Sequence, residues 1–234
     1  MNRTTQFLVI AAFLVFTGEL FAQGGKSFII NHFVSDPSVI ESHLVITDLD
    51  GMGPVVNMKF YNNDGKLVGE GKEIVQPFGK LNLNPGKYVN NAVVNGTVQI
   101  TSSGYINAEY WQFYKKEAWK NTTTIGYLTP GYGKLVCPHF VADKGVEAYL
   151  VLSNSDGRDV TIDVKFYDDN GRELGKAHEL VKANGKKILK PTDFVKTQAT
   201  GVAFISATGG KVTGEYWQAE KDKLYQTAVP MGGL

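Results

Sequence analysis

Few side chains in this sequence are spaced for chemistry. The histidines, His32, His43, His139 and His178, stand far apart and none belongs to an HExxH run, so zinc hydrolysis lacks its ligand pair. There is no GxSxG elbow to present a nucleophilic serine, no phosphate-cradling P-loop, and no GxGxxG following a strand. Catalysis needs an acid or base, a nucleophile and their stabilising groups together, and no such set occurs. The expectation is a protein that is not an enzyme, with no cofactor and no metal. The runs "DLDG" (48–51) and "NSDG" (154–157) place oxygen ligands at Asp48, Asp50, Asn154 and Asp156. Calcium takes roughly six to eight oxygens, and Asp or Asn before Gly ordinarily serves the backbone of a turn, so turns are expected here.

One constellation recurs. Glu-Tyr-Trp-Gln stands at 109–112 and again at 215–218, 106 residues apart. The surrounding chain recurs with it. Residues 41–69 align with 147–175 without a gap, and 10 of the 29 positions are identical, among them Asp50/Asp156, Lys59/Lys165, Phe60/Phe166, Tyr61/Tyr167 and Gly65/Gly171. The match reaches back to "HFV" at 32–34 and 139–141 and forward to both Glu-Tyr-Trp-Gln runs. This reads as an internal duplication of a domain-sized unit, with repeats over 24–127 and 134–234 and a joint of only "LTPGYG" (128–133) between them.

Period-2 alternation governs each repeat. Val56, Met58 and Phe60 alternate with Asn57, Lys59 and Tyr61; Ile162, Val164 and Phe166 alternate with Asp163, Lys165 and Tyr167. That is the signature of half-buried strands, and "NNDGK" and "DDNGR" after them are hairpin turns. Further strands are expected at 27–34, 42–48, 66–76, 97–102, 105–114 and 118–124, with counterparts in the second repeat. No segment has a sustained helical period. The fold class expected is all-β: two tandem immunoglobulin-like antiparallel β-sandwich domains. Trp119 and Tyr225 correspond, so each repeat should end in one more strand.

The stretch "PHFVADKGVEAYLVLSNSDGRDVTIDVKFYDDNGREL" (138–174) resembles repeats of exported bacterial β-sandwich proteins, which pair a "PHF"-like opening with a strand ending in Asn and then "FYDxxG". The first repeat departs from the pattern, with "NHF" for "PHF" and Asp48 where Asn154 stands. The resemblance implies export, a sandwich fold and a binding or structural role, and it transfers no functional residue.

Alternation also divides the recurrent motif. Ile106, Ala108 and Tyr110 share one strand face, and Asn107, Glu109, Trp111 and Phe113 the other. Val212, Gly214 and Tyr216 oppose Thr213, Glu215 and Trp217. The tyrosines should enter the core and the tryptophans should point outward beside a glutamate. If this strand takes the place of strand F and the "KFY" strand that of strand C, Lys59 and Tyr61 share an outer surface with Glu109 and Trp111. Lys165, Tyr167, Glu215 and Trp217 then repeat it. Three roles are open to such a surface: cover by a loop or the neighbouring domain, docking of a protein partner or a second copy, and stacking on sugar rings of a polysaccharide.

Bulk properties narrow the partners. Lys and Arg number 24 against 23 Asp and Glu, a net charge of +1 that gives no electrostatic footprint for nucleic acid. Arg3, an apolar run from Phe7 to Phe16 and a polar stretch closing at Ala22 have the layout of a secretory signal peptide over 1–22. The run is shorter than the roughly 20 residues a membrane span needs, so a periplasmic or extracellular protein without a membrane span is expected. The single cysteine, Cys137, cannot form an internal disulfide. It sits in the apolar run "KLVCPHF" and reads as a buried, inert thiol.

Overall fold

The computed structural model describes residues 25–117, 120–220 and 225–234. The expected signal peptide and Trp119 lie outside them. The chain is nearly all β, with three antiparallel sheets. Among the described residues no helix is long and apolar enough to cross a membrane.

The N-terminal half forms one sheet from β1 (Gly25–Ser35), β2 (Ile40–Asp48), β3 (Val55–Asn62), β4 (Leu67–Ile74), β5 (Lys80–Leu83), β6 (Val94–Tyr114), β7 (Thr122–Ile125) and β8 (Tyr127–Leu128). The two strands expected at 97–102 and 105–114 are one continuous strand of 21 residues. Its first part pairs with β1 and β3, and its second part pairs with β2 and β7. One strand thereby joins two layers.

In the C-terminal half Gly209, with φ at +86°, sits just past the strand Ala199–Thr208 and before the strand Thr213–Glu220, and the layers separate. The strands there are β9 (Lys134–Ala142), β10 (Glu147–Ser153), β11 (Val160–Asp168), β12 (Glu173–Val181), β13 (Lys186–Leu189), β14 (Ala199–Thr208), β15 (Thr213–Glu220), β16 (Tyr225–Pro230) and β17 (Gly232–Gly233). One sheet runs β13-β10-β15-β16 and the other β12-β11-β14-β9-β17.

Each half has its own core. Phe28, Phe33, Leu44, Met58, Phe60 and Tyr110 gather in the first; Phe140, Leu150, Ile162, Phe166 and Tyr216 gather in the second, drawn from both C-terminal sheets. The alternation of apolar residues drives this, since each buried large side chain contributes about 1.5–3 kcal/mol. The two cores match in detail. Phe33 meets Phe60 edge-on at 5.5 Å, and Phe140 meets Phe166 edge-on at 5.1 Å. The Tyr110 hydroxyl accepts from the Val34 N–H at 2.9 Å, and the Tyr216 hydroxyl accepts from the Val141 N–H at 2.9 Å. The buried phenols thus satisfy a backbone donor instead of reaching water at the rim.

The Asp and Asn turns serve the backbone. Asn62 Oδ1 accepts from the Asp64 and Lys66 N–H groups, and Asp168 Oδ1 accepts from those of Asn170 and Arg172. Asp48 accepts from the N–H groups of Asp50, Gly53 and Phe78, and Asn154 Oδ1 accepts from that of Asp156. Cys137 is fully buried, its thiol donates to the His139 carbonyl at 2.9 Å, and burial pushes its pKa up to about 12.

Candidate functional site: two faces of one motif

The β6 strand carries Glu109 and Trp111 on its outer face. His43 of β2 lies directly across from Trp111, and Thr123 of β7 lies on its other side. Trp111 is 37% exposed, and its indole N–H donates to Glu109 Oε2 at 2.9 Å. Phe113 stands 6.2 Å from the Trp111 ring and 5.8 Å from the His43 ring. His43 is held by Asn82 Oδ1 at 2.8 Å and Glu41 Oε1 at 3.0 Å. This is an open aromatic face on a hydrogen-bonded sheet.

The β15 strand carries the same pair in a different setting. Trp217 donates to Glu215 Oε2 at 2.7 Å, yet Glu215 is fully buried and Trp217 only 6% exposed. Residues 213–219 are buried on both strand faces, where an uncovered strand would alternate. Trp217 is absent from the C-terminal core and instead meets the His32 ring of the N-terminal half at 4.8 Å. The outward direction read from alternation holds for both tryptophans, and the N-terminal half covers the second.

That cover is polar. Lys186 donates to His32 Nδ1 at 2.9 Å and to the Gly96 carbonyl at 2.8 Å. Thr213 donates to Asn31 Oδ1 at 2.5 Å, and Ser153 to the Asn31 carbonyl at 3.2 Å. Thr97 donates to the Asn184 carbonyl at 3.0 Å, while Gln99 reaches Asn184 Oδ1 at 2.9 Å and the Ser155 carbonyl at 3.4 Å. A β-bulge at Asn31–His32 turns these side chains toward the C-terminal half.

Burial sets the electrostatics. It raises the Glu215 carboxyl to about 7, against the pull of the Trp217 N–H and the Lys186 charge. It lowers the Lys186 ammonium to about 7, against the Glu215 charge. It holds His32, helped by Lys186, well below its ordinary value.

Lys59, Tyr61, Lys165 and Tyr167 do not join the tryptophan faces, which corrects the shared surface expected from the sequence. Lys59 lies across from Gln99 and Tyr61 across from Thr97, in the first part of β6. Lys165 lies across from Phe204 and Tyr167 across from Val202 in β14, not in β15. The physical reason is the partner switch along β6 and between β14 and β15: the "KFY" strands pair before the switch and the Trp strands after it. Tyr61 is buried, Lys59 and Lys165 are exposed, and Tyr167 meets Phe204 edge-on at 5.9 Å.

Asn31, Gln99, Asn184 and Lys186 were not legible as site residues. Alternation tells which way a side chain points but not what covers it. The one available signal was His32, whose recurrence as His139 reads equally well as scaffold.

At the margin of the contact a cleft of 290 Å³ is lined by Tyr114, Tyr149, Trp217, Gln112 and Gln218, among others. Gln112 is buried, and its Oε1 has no hydrogen-bond partner.

No protein-family model matches the chain, and no curated protein matches it. Among solved structures, protein 1070 of Thermotoga maritima is similar at 17% identity and a TM-score of 0.39, over 47% of this chain and 98% of that one. A glycosyl hydrolase family 2 member from Bacteroides cellulosilyticus is similar at 12% identity and a TM-score of 0.17, over 87% of this chain. A β-glucuronidase of Bacteroides uniformis is similar at 10% identity and a TM-score of 0.18, over 89% of this chain. This chain spans 28% and 26% of the length of those two enzymes.

Proposed function

We propose that the chain is an exported, non-enzymatic binding or structural protein. It is built from two duplicated immunoglobulin-like sandwiches and presents the Glu109–Trp111 face to a protein partner outside the cytoplasm. One observation carries the reading: the same Glu–Trp pair, on the matching strand of the other half, is buried in the contact between the two halves of the chain, while this one is open. A large aromatic held by a hydrogen bond on an exposed sheet is the kind of anchor interfaces use. The duplication is supported by the paired core geometries and by the matching turns at Gly65 and Gly171.

A second reading has its own observation. The aromatic-walled cleft, with the unpartnered Gln112 oxygen in its lining, suits a sugar ring that stacks on aromatics and bonds to amides. It moves the polysaccharide hypothesis from Trp111 to Tyr149 and Trp217.

A photo-crosslinking residue at Thr123, beside Trp111, tests the proposal in producing cells. A discrete protein adduct that disappears in Trp111→Ala is expected. No adduct at Thr123, or one indifferent to Trp111, contradicts it. Polysaccharide binding lost in Tyr149→Ala and kept in Trp111→Ala would favour the cleft.

A further inference from the structure

Both surfaces of the contact between the halves recur elsewhere in the chain, and both recurrences are open. On the docked side, Lys186, Asn184, Ser155, Glu215 and Trp217 align at a constant offset with Lys80, Phe78, Leu49, Glu109 and Trp111. The strand register agrees: Lys186 lies across from Ser153, and Lys80 across from Thr47, its counterpart. Phe78 is 78% exposed, Leu49 44% and Trp111 37%. On the receiving side, His32, Gly96, Thr97 and Gln99 align with His139, Gly201, Val202 and Phe204. The bulge at Asn31–His32 recurs at Pro138–His139, between the Phe140–Gly201 and Cys137–Ala203 pairs, and there it faces solvent.

The two open surfaces differ from their docked counterparts in a correlated way. Inside the chain Gln99 donates to Asn184 Oδ1 and to the Ser155 backbone carbonyl, and Thr97 donates to the Asn184 backbone carbonyl. In the open set Phe204 replaces Gln99 and Val202 replaces Thr97, while Phe78 and Leu49 replace Asn184 and Ser155. At the one side-chain pair among these, Gln99 with Asn184 Oδ1, a polar pair becomes the apolar pair Phe204 with Phe78. Lys186 with His32 and the Gly96 carbonyl becomes Lys80 with His139 and the Gly201 carbonyl, whereas the Thr213–Asn31 side-chain bond has Asn107 and Pro138 in its place and does not recur. Phe78 adds a backbone argument. It holds φ at +54°, where Asn184 holds +60°. Asn tolerates the left-handed region and a bulky aromatic does not, so a strained, exposed Phe points to a use for its ring.

We infer that the protein self-associates head to tail, the Phe78–Lys80–Trp111 face of one molecule docking on the His139–Val202–Phe204 face of a second copy. The contact between molecules repeats the contact between halves. This inference rests on the binding reading above and names its partner. Each molecule has one face of each kind, so the contact is heterologous and extends into a chain of molecules instead of closing at a dimer.

Sedimentation velocity on the full chain tests it with Phe78→Asp and Phe204→Asp, which place a like charge on each face. The parent should gain mass steadily with concentration. Each variant alone should lose that gain. An equimolar mixture should yield a heterodimer, because each variant keeps the face the other has lost; a misfolded variant could not produce this rescue. A parent that stays monomeric at every concentration, or a mixture that stays monomeric, overturns the inference. If the parent is monomeric while the crosslinker at Thr123 captures a different protein, self-association fails and the binding reading stands. If Thr123 captures nothing as well, both fail.

Discussion

Glu215 and Lys186 carry the strongest electrostatic consequence at the level of single residues. Between the unfolded carboxylate value of 4.5 and about 7, the folded chain retains a proton on Glu215 that the unfolded chain has released. Stability contributed at this site therefore falls as pH rises through that window. Lys186 acts with the opposite sign: between about 7 and 10.5 the folded chain has released a proton that the unfolded chain keeps, so stability rises with pH there. Glu215→Gln removes the first dependence, and with the Glu215 charge gone the Lys186 ammonium falls further, which acts on the pH difference in the same direction. The melting temperature of the variant relative to the parent should be higher at about pH 8 than at about pH 5. A difference that is flat or reversed would show that Glu215 is not a desolvated carboxyl. This behaviour was hidden in the sequence, where Glu215 and Glu109 look alike. The direction of their neighbours was not hidden, because alternation alone sends Tyr110 and Tyr216 inward and both tryptophans outward.

At the level of elements, the turns after the "KFY" strands compare like with like. Gly65 and Gly171 both have positive φ, at +77° and +78°. A Cβ at Gly171 meets open space, whereas one at Gly65 would collide with the Ala183 carbonyl of the other half. Gly171→Ala should cost only the left-handed backbone penalty, about 1–2 kcal/mol. Gly65→Ala should cost clearly more, read from denaturant melts. Equal losses would mean that the Gly65 turn is not pressed against the C-terminal half. Hairpins and strands of this kind were legible because Asn, Asp and Gly carry their own backbone preferences. The single long β6 was not: separate strands are expected at 97–102 and 105–114, yet the backbone runs through 103–104 as strand. Equating the "KFY" strand with strand C and the Trp strand with strand F is what placed Lys59 and Tyr61 beside Trp111, whereas they pair with the first part of β6. Which strand pairs with which is a tertiary choice that local pattern does not encode.

At the level of the whole molecule, one motif occupies two environments, and the difference between them motivates the proposed function. The all-β class followed from the sequence because alternation and turn chemistry agree along the chain. The docking of the halves did not, because its residues are mostly polar and resemble any solvated surface until His32 is seen against Lys186 and Trp217. Hydroxyl-radical footprinting of Trp111 and Trp217 in one sample tests the central claim most directly. In dilute protein Trp111 should oxidise readily and Trp217 should resist, and Trp111 should become protected once its partner is bound. Equal oxidation of the two tryptophans in dilute protein, or a Trp111 that stays reactive in the complex, would contradict the account.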